Sequence, residues 1–329
     1  MLTKSIKSLS NKLASIRAYN HRDLQIYHYP LALNIETSSM CNLRCPQCSR
    51  ESGGLKRKTG VMDRRLFEKI VNEVHENCEL VILHNNGEPL MNEHLPEMIS
   101  YAKQHHLTTV ISTNVTLLNN ERATSLIEAG LDIIILAVDG STSETYEKIR
   151  IGANYKSILR NIKNLLEKKK ELERKNPFVV LQLIEMEQNR HEIPKFKQYW
   201  SGYPVTVFIK PSTDFGGKVN VSRNCPCDRL WHQSVVLSDG RLVPCCMDMN
   251  GDYSLGSVKD NMFFDIWNGS QMRSIRKKEN QNKFELCKTC NYISPRRHNS
   301  LTDLALLTFN MGFLARVLYS VGYTRKSQL

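Results

Sequence analysis

The sequence predicts an α/β fold: a partial (β/α)6 barrel followed by a small module built from a hairpin and helices. Three observations carry this expectation. Six short, β-branched apolar runs alternate with longer amphipathic ones. The runs are apolar throughout, as parallel strands buried on both faces are, so the repeat curls into an open or partial barrel. After the sixth run the pattern gives way to a hairpin signal and clustered cysteines. At 329 residues with 41% hydrophobic content, the chain is long enough for one large α/β domain and a smaller module.

Residues 1–30 read as a basic N-terminal segment and 31–215 as the barrel. Strands are expected at 32–37, at "LVILH" (80–84), "TTVIST" (108–113), "DIIILAV" (132–138), "FVVLQLI" (178–184) and "VTVFIK" (205–210). Between them, helices are expected at 63–77, 93–106, 119–129 closed by Gly130, 142–149 with 154–174, and 191–200. Chemistry in such a fold sits at the carboxyl ends of the strands. Residues 216–295 carry the module, and 296–329 a C-terminal amphipathic helix. In "SLTDLALLTFNMGFLARVLYSVGY" (300–323), Leu304, Leu307, Met311, Leu314, Leu318 and Val321 recur at helical spacing. Asp303, Asn310 and Arg316 make that segment too polar to span a membrane. Its stripe is expected on the protein's own surface, with a partner chain or an anionic membrane surface as alternatives.

The N-terminus "MLTKSIKSLSNKLASIRAYN" lacks the apolar core and cleavage site of a secretory signal, so the chain reads as cytoplasmic, with peripheral membrane association as a variant of that reading. In a reducing compartment its ten cysteines are metal ligands or core residues rather than disulfides. Cys78, on the apolar side of a helix, reads as core. With 45 Lys and Arg against 33 Asp and Glu, the net charge of +12 suits phosphorylated substrates, nucleic acid or anionic lipid without choosing among them. The run "EKKKELERK" (167–175) reads as a solvated helix face.

"SSMCNLRCPQCSR" (38–50) places Cys41, Cys45 and Cys48 in the loop after the first strand. Thiolates bind zinc and iron–sulfur clusters alike, but structural zinc prefers a closed set of four, whereas three thiolates on a four-iron cluster leave one iron open. This C-x3-C-x2-C loop after the first strand of a βα barrel resembles the radical S-adenosylmethionine (SAM) superfamily. The resemblance implies a [4Fe–4S] cluster whose open iron chelates the amino and carboxylate groups of SAM. "NNGEP" (85–89), after the second strand, resembles the family's glycine-glycine-glutamate-proline element at the methionine end of SAM, with Asn86 in place of the first glycine, then Gly87, Glu88 and Pro89. "STN", with Ser112 and Asn114, and "AVDG", with Asp139, resemble the segments that reach the ribose and methionine moieties. Arg150 resembles an arginine near the SAM carboxylate. Each also has a plainer reading: a turn for "NNGEP", a strand end for Asp139, a helix cap for Asn114, a surface charge for Arg150.

Beyond the barrel, "HQSVVLSDGRLVPCC" is a hairpin signal that brings Cys245 and Cys246 to its base. Cys225 and Cys227 precede it, and "LCKTC" with Cys287 and Cys290 follows a helix. The module resembles the SPASM and twitch extensions of radical SAM enzymes, which implies one auxiliary [4Fe–4S] cluster on Cys227, Cys245, Cys287 and Cys290. Cys225 and Cys246 compete for those roles, and structural zinc is the alternative metal. The whole small hairpin-plus-helix segment is thus an expected iron–sulfur module.

The resemblance implies reductive cleavage of SAM to a 5′-deoxyadenosyl radical and hydrogen abstraction, fed by a reducing electron donor such as flavodoxin or ferredoxin. The substrate expected is small or carbohydrate-like, with a phosphate suggested by the charge, since only about thirty residues precede the first strand, too few for an independently folding recognition domain. A peptide-modifying maturase is the second reading. A non-catalytic zinc and nucleic-acid binding protein is the third; it fits the charge but leaves the three-cysteine loop unexplained, so nucleic acid is not the expected partner. His84, ending the second strand, and Asp248, past the cysteine pair, are the candidate catalytic side chains; for His84 the plain alternative is a satisfied core histidine.

Overall fold

The computed structural model describes residues 2–212, 226–288 and 290. Cys225 and the expected C-terminal helix lie outside the described residues. The chain forms two compact units, each discontinuous in sequence: Met1–Ile35 with Arg65–Ile82 and Thr213–Leu329, and Glu36–Arg64 with Leu83–Ser212.

The second unit carries β3 (Thr108–Thr113), β4 (Ile133–Ala137), β5 (Phe178–Glu185) and β6 (Thr206–Pro211), side by side in that order and all parallel. Ile133 to Ala137 are all buried, which explains why the sequence shows no alternation. Helices α3 (Leu95–Gln104), α4 (Asn120–Glu128), α5 (Ser143–Ile149), α6 (Tyr155–Glu171) and α7 (Ile193–Trp200) connect the strands. Their starts follow from local chemistry: the side chains of Asn119, Thr142 and Asn154 accept from the backbone N–H three residues on, capping α4, α5 and α6. Gly130, at φ +81°, ends the α4 region as expected. The carboxyl ends of the strands deliver Asn114, Asp139 and Lys210 to one end of this sheet.

In the first unit β1 (Ala32–Ile35) lies between β2 (Leu80–Ile82) and β7 (Gln233–Val236) and is parallel to both. The expected hairpin is present: β7 turns back through Gly240, at φ +90°, into β8 (Arg241–Val243), with the short β9 (Gly256–Ser257) beside it. The parallel pairing of β7 with β1 was not legible, because it joins residues far apart in the chain; within it Gln233 Nε2 donates to Asn34 Oδ1, 199 positions away. Helix α2 (Arg64–Val74) and, in the module, α8 (Arg229–His232), α9 (Phe263–Trp267), α10 (Ser270–Asn280) and α11 (Glu285–Lys288) complete the unit. Cys78 is buried, as expected of a core residue.

The basic N-terminal segment holds helix α1 (Leu2–His21), which packs with its polar side inward. Ser8, Asn11, Lys12 and Ser15 are buried, whereas Ile6, Leu9 and Leu13, on the opposite face, are exposed. The inward polar groups are satisfied. Asn11 Nδ2 donates to Tyr29 O (3.0 Å) and Asn77 O (3.2 Å), Asn11 Oδ1 accepts from Tyr29 N (2.8 Å), and Ser15 Oγ donates to Trp231 O (3.2 Å). Lys12 pairs with Glu79 at 2.6 Å. Apolar periodicity alone would have turned this helix the other way. Replacing Asn11 by Ala is therefore expected to lower stability to urea by about 1–3 kcal/mol, since it strands buried backbone groups, while Leu9→Ser changes it by less than about 0.5 kcal/mol. The reverse ranking in a denaturation series would contradict this orientation.

Candidate active site

The three-cysteine loop occupies residues 36–64 and is stapled at its base. Glu36, fully buried, accepts from Arg57 Nη2 at 2.5 and 2.6 Å. Ser39 and Gly60 exchange backbone and side-chain hydrogen bonds of 2.9–3.0 Å. Within the loop Cys48 N donates to Cys45 O (2.9 Å), holding those two thiols in one turn.

Gly87 faces this loop at backbone contact. A Cβ there would lie 2.6 Å from Met40 O and 2.8 Å from Ser39 C, with Ser38 O closer still. No side chain fits. The next residue, Glu88, donates its N–H to Met40 O (2.7 Å). Its buried carboxylate accepts from Leu90 N (3.1 Å), Thr113 Oγ1 (2.7 Å) and Asn114 N (2.7 Å). Burial pushes the Glu88 carboxyl up, and those donors act against it. Pro89 opens the turn that follows.

Two N–H donors aim at the thiols. Asn114 Nδ2 lies 3.8 Å from Cys41 Sγ and also donates to Asn42 Oδ1 (2.9 Å). Arg150 Nη1 lies 3.9 Å from Cys45 Sγ, while Nε and Nη2 hold Asp139 Oδ2 at 2.8 and 2.6 Å. The other Asp139 oxygen accepts from Ile184 N (2.8 Å), so this carboxylate is turned wholly into the protein as the arginine's holder. Burial pushes the Cys41 and Cys45 thiols up; on Cys45 the Arg150 guanidinium pulls the other way. Ser112 gives its N–H to His84 Nδ1 at 3.0 Å. Burial, then the Lys210 charge, bring His84 down to about 4, a neutral ring that clasps the end of β3.

The module gathers its thiols as well. Cys227, half-buried near Cys245, Cys287 and Asp228, is pushed well above the ordinary thiol range, mainly by its removal from water, with Arg229 opposing. Its N–H donates to Glu279 Oε1 (3.0 Å). Cys245 is raised by its hydrogen bond with Cys246 and then by burial. Cys246 Sγ accepts from Arg229 Nη1 at 3.7 Å, and Cys290 N donates to Cys287 O at 3.3 Å. Asp248 braces the following loop: its oxygens accept from Asp252 N (2.8 Å) and Tyr253 N (2.9 Å), so each already holds one N–H.

Residues 35–192 match the Radical SAM superfamily. Residues 225–291 match the SPASM iron–sulfur cluster-binding domain. The chain therefore carries a radical SAM domain, over just under half its length, followed by a SPASM domain. It is similar to the tungsten-containing aldehyde ferredoxin oxidoreductase cofactor-modifying protein of Pyrococcus furiosus, at 23% identity over 74% of this chain and 82% of that protein. Other curated relatives match over 39–41% of this chain, which spans 32–46% of their length. Among solved structures, BtrN in complex with AdoMet and 2-DOIA superposes with a TM-score of 0.57 at 19% identity, covering 84% of this chain and 99% of that one. Streptococcus suis SuiB bound to precursor peptide SuiA superposes at 0.65 with 13% identity, covering 97% and 80%. The fold is thus the expected partial (β/α)6 barrel with a C-terminal module.

As a radical SAM enzyme the protein uses a [4Fe–4S] cluster with SAM, and its SPASM domain an auxiliary iron–sulfur cluster; it needs a reductant and a substrate. The residues present fit these groups. Two thiols already face N–H donors, and the Nδ2 atoms of Asn85 and Asn86, beside Gly87, are buried with no hydrogen-bond partner among the described residues. No helix among the described residues is long and apolar enough to cross a membrane. Sequence reasoning missed Glu36, Arg57, Asn42 and Arg229; of these, Asn42 beside Cys41 and Arg229 in "CPCDRLW" carried a signal, each close to a cysteine cluster. Gly87→Ala is expected to cost the three-thiol cluster, leaving about half the iron in the purified protein, because the added methyl meets backbone rather than a mobile side chain. Full iron content in that variant would contradict the close approach. In the module, Cys245→Ala is expected to lose the auxiliary cluster and Cys246→Ala to retain it, read as iron and sulfide per chain.

Proposed function

We propose that this enzyme abstracts hydrogen from a small, carbohydrate-like substrate bearing an anionic group such as a phosphate, with Cys41, Cys45 and Cys48 holding the SAM cluster and Cys227, Cys245, Cys287 and Cys290 the auxiliary one. When bound, the first cluster and SAM supply a one-electron cleavage of the SAM C–S bond and a 5′-deoxyadenosyl radical that takes the substrate's hydrogen atom. The chain's own residues bind and orient. Gly87 brings the "NNGEP" backbone up to the cluster loop, Glu88 fixes the end of β3, and Asn114 and Arg150 stabilise the charge on the cluster thiolates. The electron donor is of the flavodoxin or ferredoxin type.

The observation that carries the substrate class is Lys210. It stands near the end of β6 and its charge acts on His84, so the strand ends carry positive charge, which supports an anionic group on the substrate. The likeness in fold to BtrN, solved with AdoMet and 2-DOIA, supports a small substrate. A peptide substrate is the second reading, favoured by the likeness in fold to SuiB with its precursor peptide.

Loaded, reduced enzyme given deuterated sugar phosphates is expected to transfer deuterium into 5′-deoxyadenosine. Transfer only from added peptide would favour the second reading instead. With the anionic substrate in hand, Lys210→Gln is expected to raise KM by about ten- to a hundredfold while SAM cleavage without substrate is unchanged. An unaltered KM would remove Lys210 from substrate binding.

A further inference from the structure

Parallel strands buried on both faces are apolar on both, and β5 breaks that rule in its middle. In "FVVLQLIE" position 182 is a glutamine, only 9% exposed, between Leu181 and Leu183, which are fully buried. The register gives it neighbours. Gln182 is paired with Ala137 on β4 and with Phe208 on β6. Residues paired across parallel strands stand about 4.8 Å apart and point to the same face of the sheet, so these three form a row. Alternation along the strands puts Leu136, Leu181, Leu183 and Ile209 on the opposite face, and all four are buried.

The row opens toward the carboxyl ends of the strands. Lys210 stands two positions beyond Phe208 on the same face, about 7 Å further along β6, and is paired with Ile184. Ile184, Phe208 and Lys210 are half-buried. The backbone under the row is pinned: Val138 N donates to Gln182 O (2.8 Å), and the buried Asn189 gives its Nδ2 to Asp139 O (3.1 Å) and Ile184 O (2.8 Å).

Small side chain, amide and aromatic ring in one row, with a cation one step outward, are the parts a sugar phosphate needs. A primary amide both donates to and accepts from hydroxyl groups. An aromatic ring offers an apolar face to the C–H surface of a sugar, and Ala137 takes the least space on the other flank. We propose that Gln182 hydrogen-bonds a hydroxyl of a sugar-like substrate whose phosphate lies at Lys210, with Phe208 against its C–H face and Ala137 setting the room beside it. The inference rests on the substrate reading above and narrows it to a polyhydroxylated anion, since an anion without hydroxyls leaves the amide row unused. Gln182 is then a specificity-determining residue, separate from the anion contact at Lys210.

The test uses the holoenzyme with oxidised clusters and SAM present, so that nothing turns over, and measures by calorimetry the Kd of glucose 6-phosphate, ribose 5-phosphate and inorganic phosphate. The wild-type protein is expected to bind at least one sugar phosphate about tenfold or more tighter than inorganic phosphate. In Gln182→Leu, of nearly the same size, that sugar phosphate is expected to fall to the affinity of inorganic phosphate, whose own Kd stays. Ala137→Leu, which fills the row from the other flank, is expected to do the same and decides the matter if the first variant fails to fold. Equal affinity for sugar phosphates and inorganic phosphate in the wild-type protein would overturn the inference while leaving the anion at Lys210. Binding of neither would overturn the substrate reading itself, and the inference with it. An unchanged sugar-phosphate Kd in either folded variant would remove the row from the site, and a weakened SAM Kd in Gln182→Leu would give the amide to the cofactor instead.

Discussion

One buried carboxylate holds the site together. Glu88 receives hydrogen bonds from the residue that follows its own turn and from the end of β3, and its N–H grips the carbonyl of Met40 next to Cys41. A carboxylate placed out of water survives only if its lone pairs are used, so the three segments it joins are fixed relative to one another by the cost of letting any of them go. Asn114 is aimed at Cys41 because its own N–H is tied to Glu88. The glycine before Glu88 makes this possible, since nothing larger would let the loop and the turn approach.

The two thiol sets are treated differently by the protein around them. The loop of Cys41, Cys45 and Cys48 offers three thiols, with cation and amide donors arriving from other strands, an arrangement suited to a cluster that keeps one iron for an exchangeable ligand. In the module, Cys227 interacts electrostatically with both Cys245 and Cys287, with Arg229 as the counter-charge. Buried Asp139 plays a further part at the first site: it holds Arg150 in its fork geometry, and losing one partner of such a buried pair costs about 3–5 kcal/mol.

Much of this was legible in the sequence because it is local. The six strands appear as apolar runs, Gly130 and Gly240 mark a helix end and a hairpin turn, and the clustered cysteines mark the segments expected to bind metal. What was hidden is non-local or runs against a rule. The pairing of β7 with β1 depends on a register that no local pattern encodes. Helix α1 turns its polar side inward because Tyr29, Asn77, Glu79 and Trp231 supply partners from elsewhere in the chain, which periodicity does not know. Asp139 reads as part of a cofactor-facing segment, yet its side chain points to Arg150, because a motif fixes where a residue stands and not which way its charge turns.

The chemistry of the whole chain turns on the identity of one cluster and its open iron. The most direct measurement is the EPR spectrum of reduced protein in which Cys227, Cys245, Cys287 and Cys290 are all alanine, recorded with and without SAM. A single reduced [4Fe–4S] signal that changes shape when SAM is added is the result predicted by the proposal that Cys41, Cys45 and Cys48 hold the SAM cluster. A signal indifferent to SAM, or no cluster at all in that protein while the complementary triple Cys41/Cys45/Cys48 variant binds SAM, would contradict it.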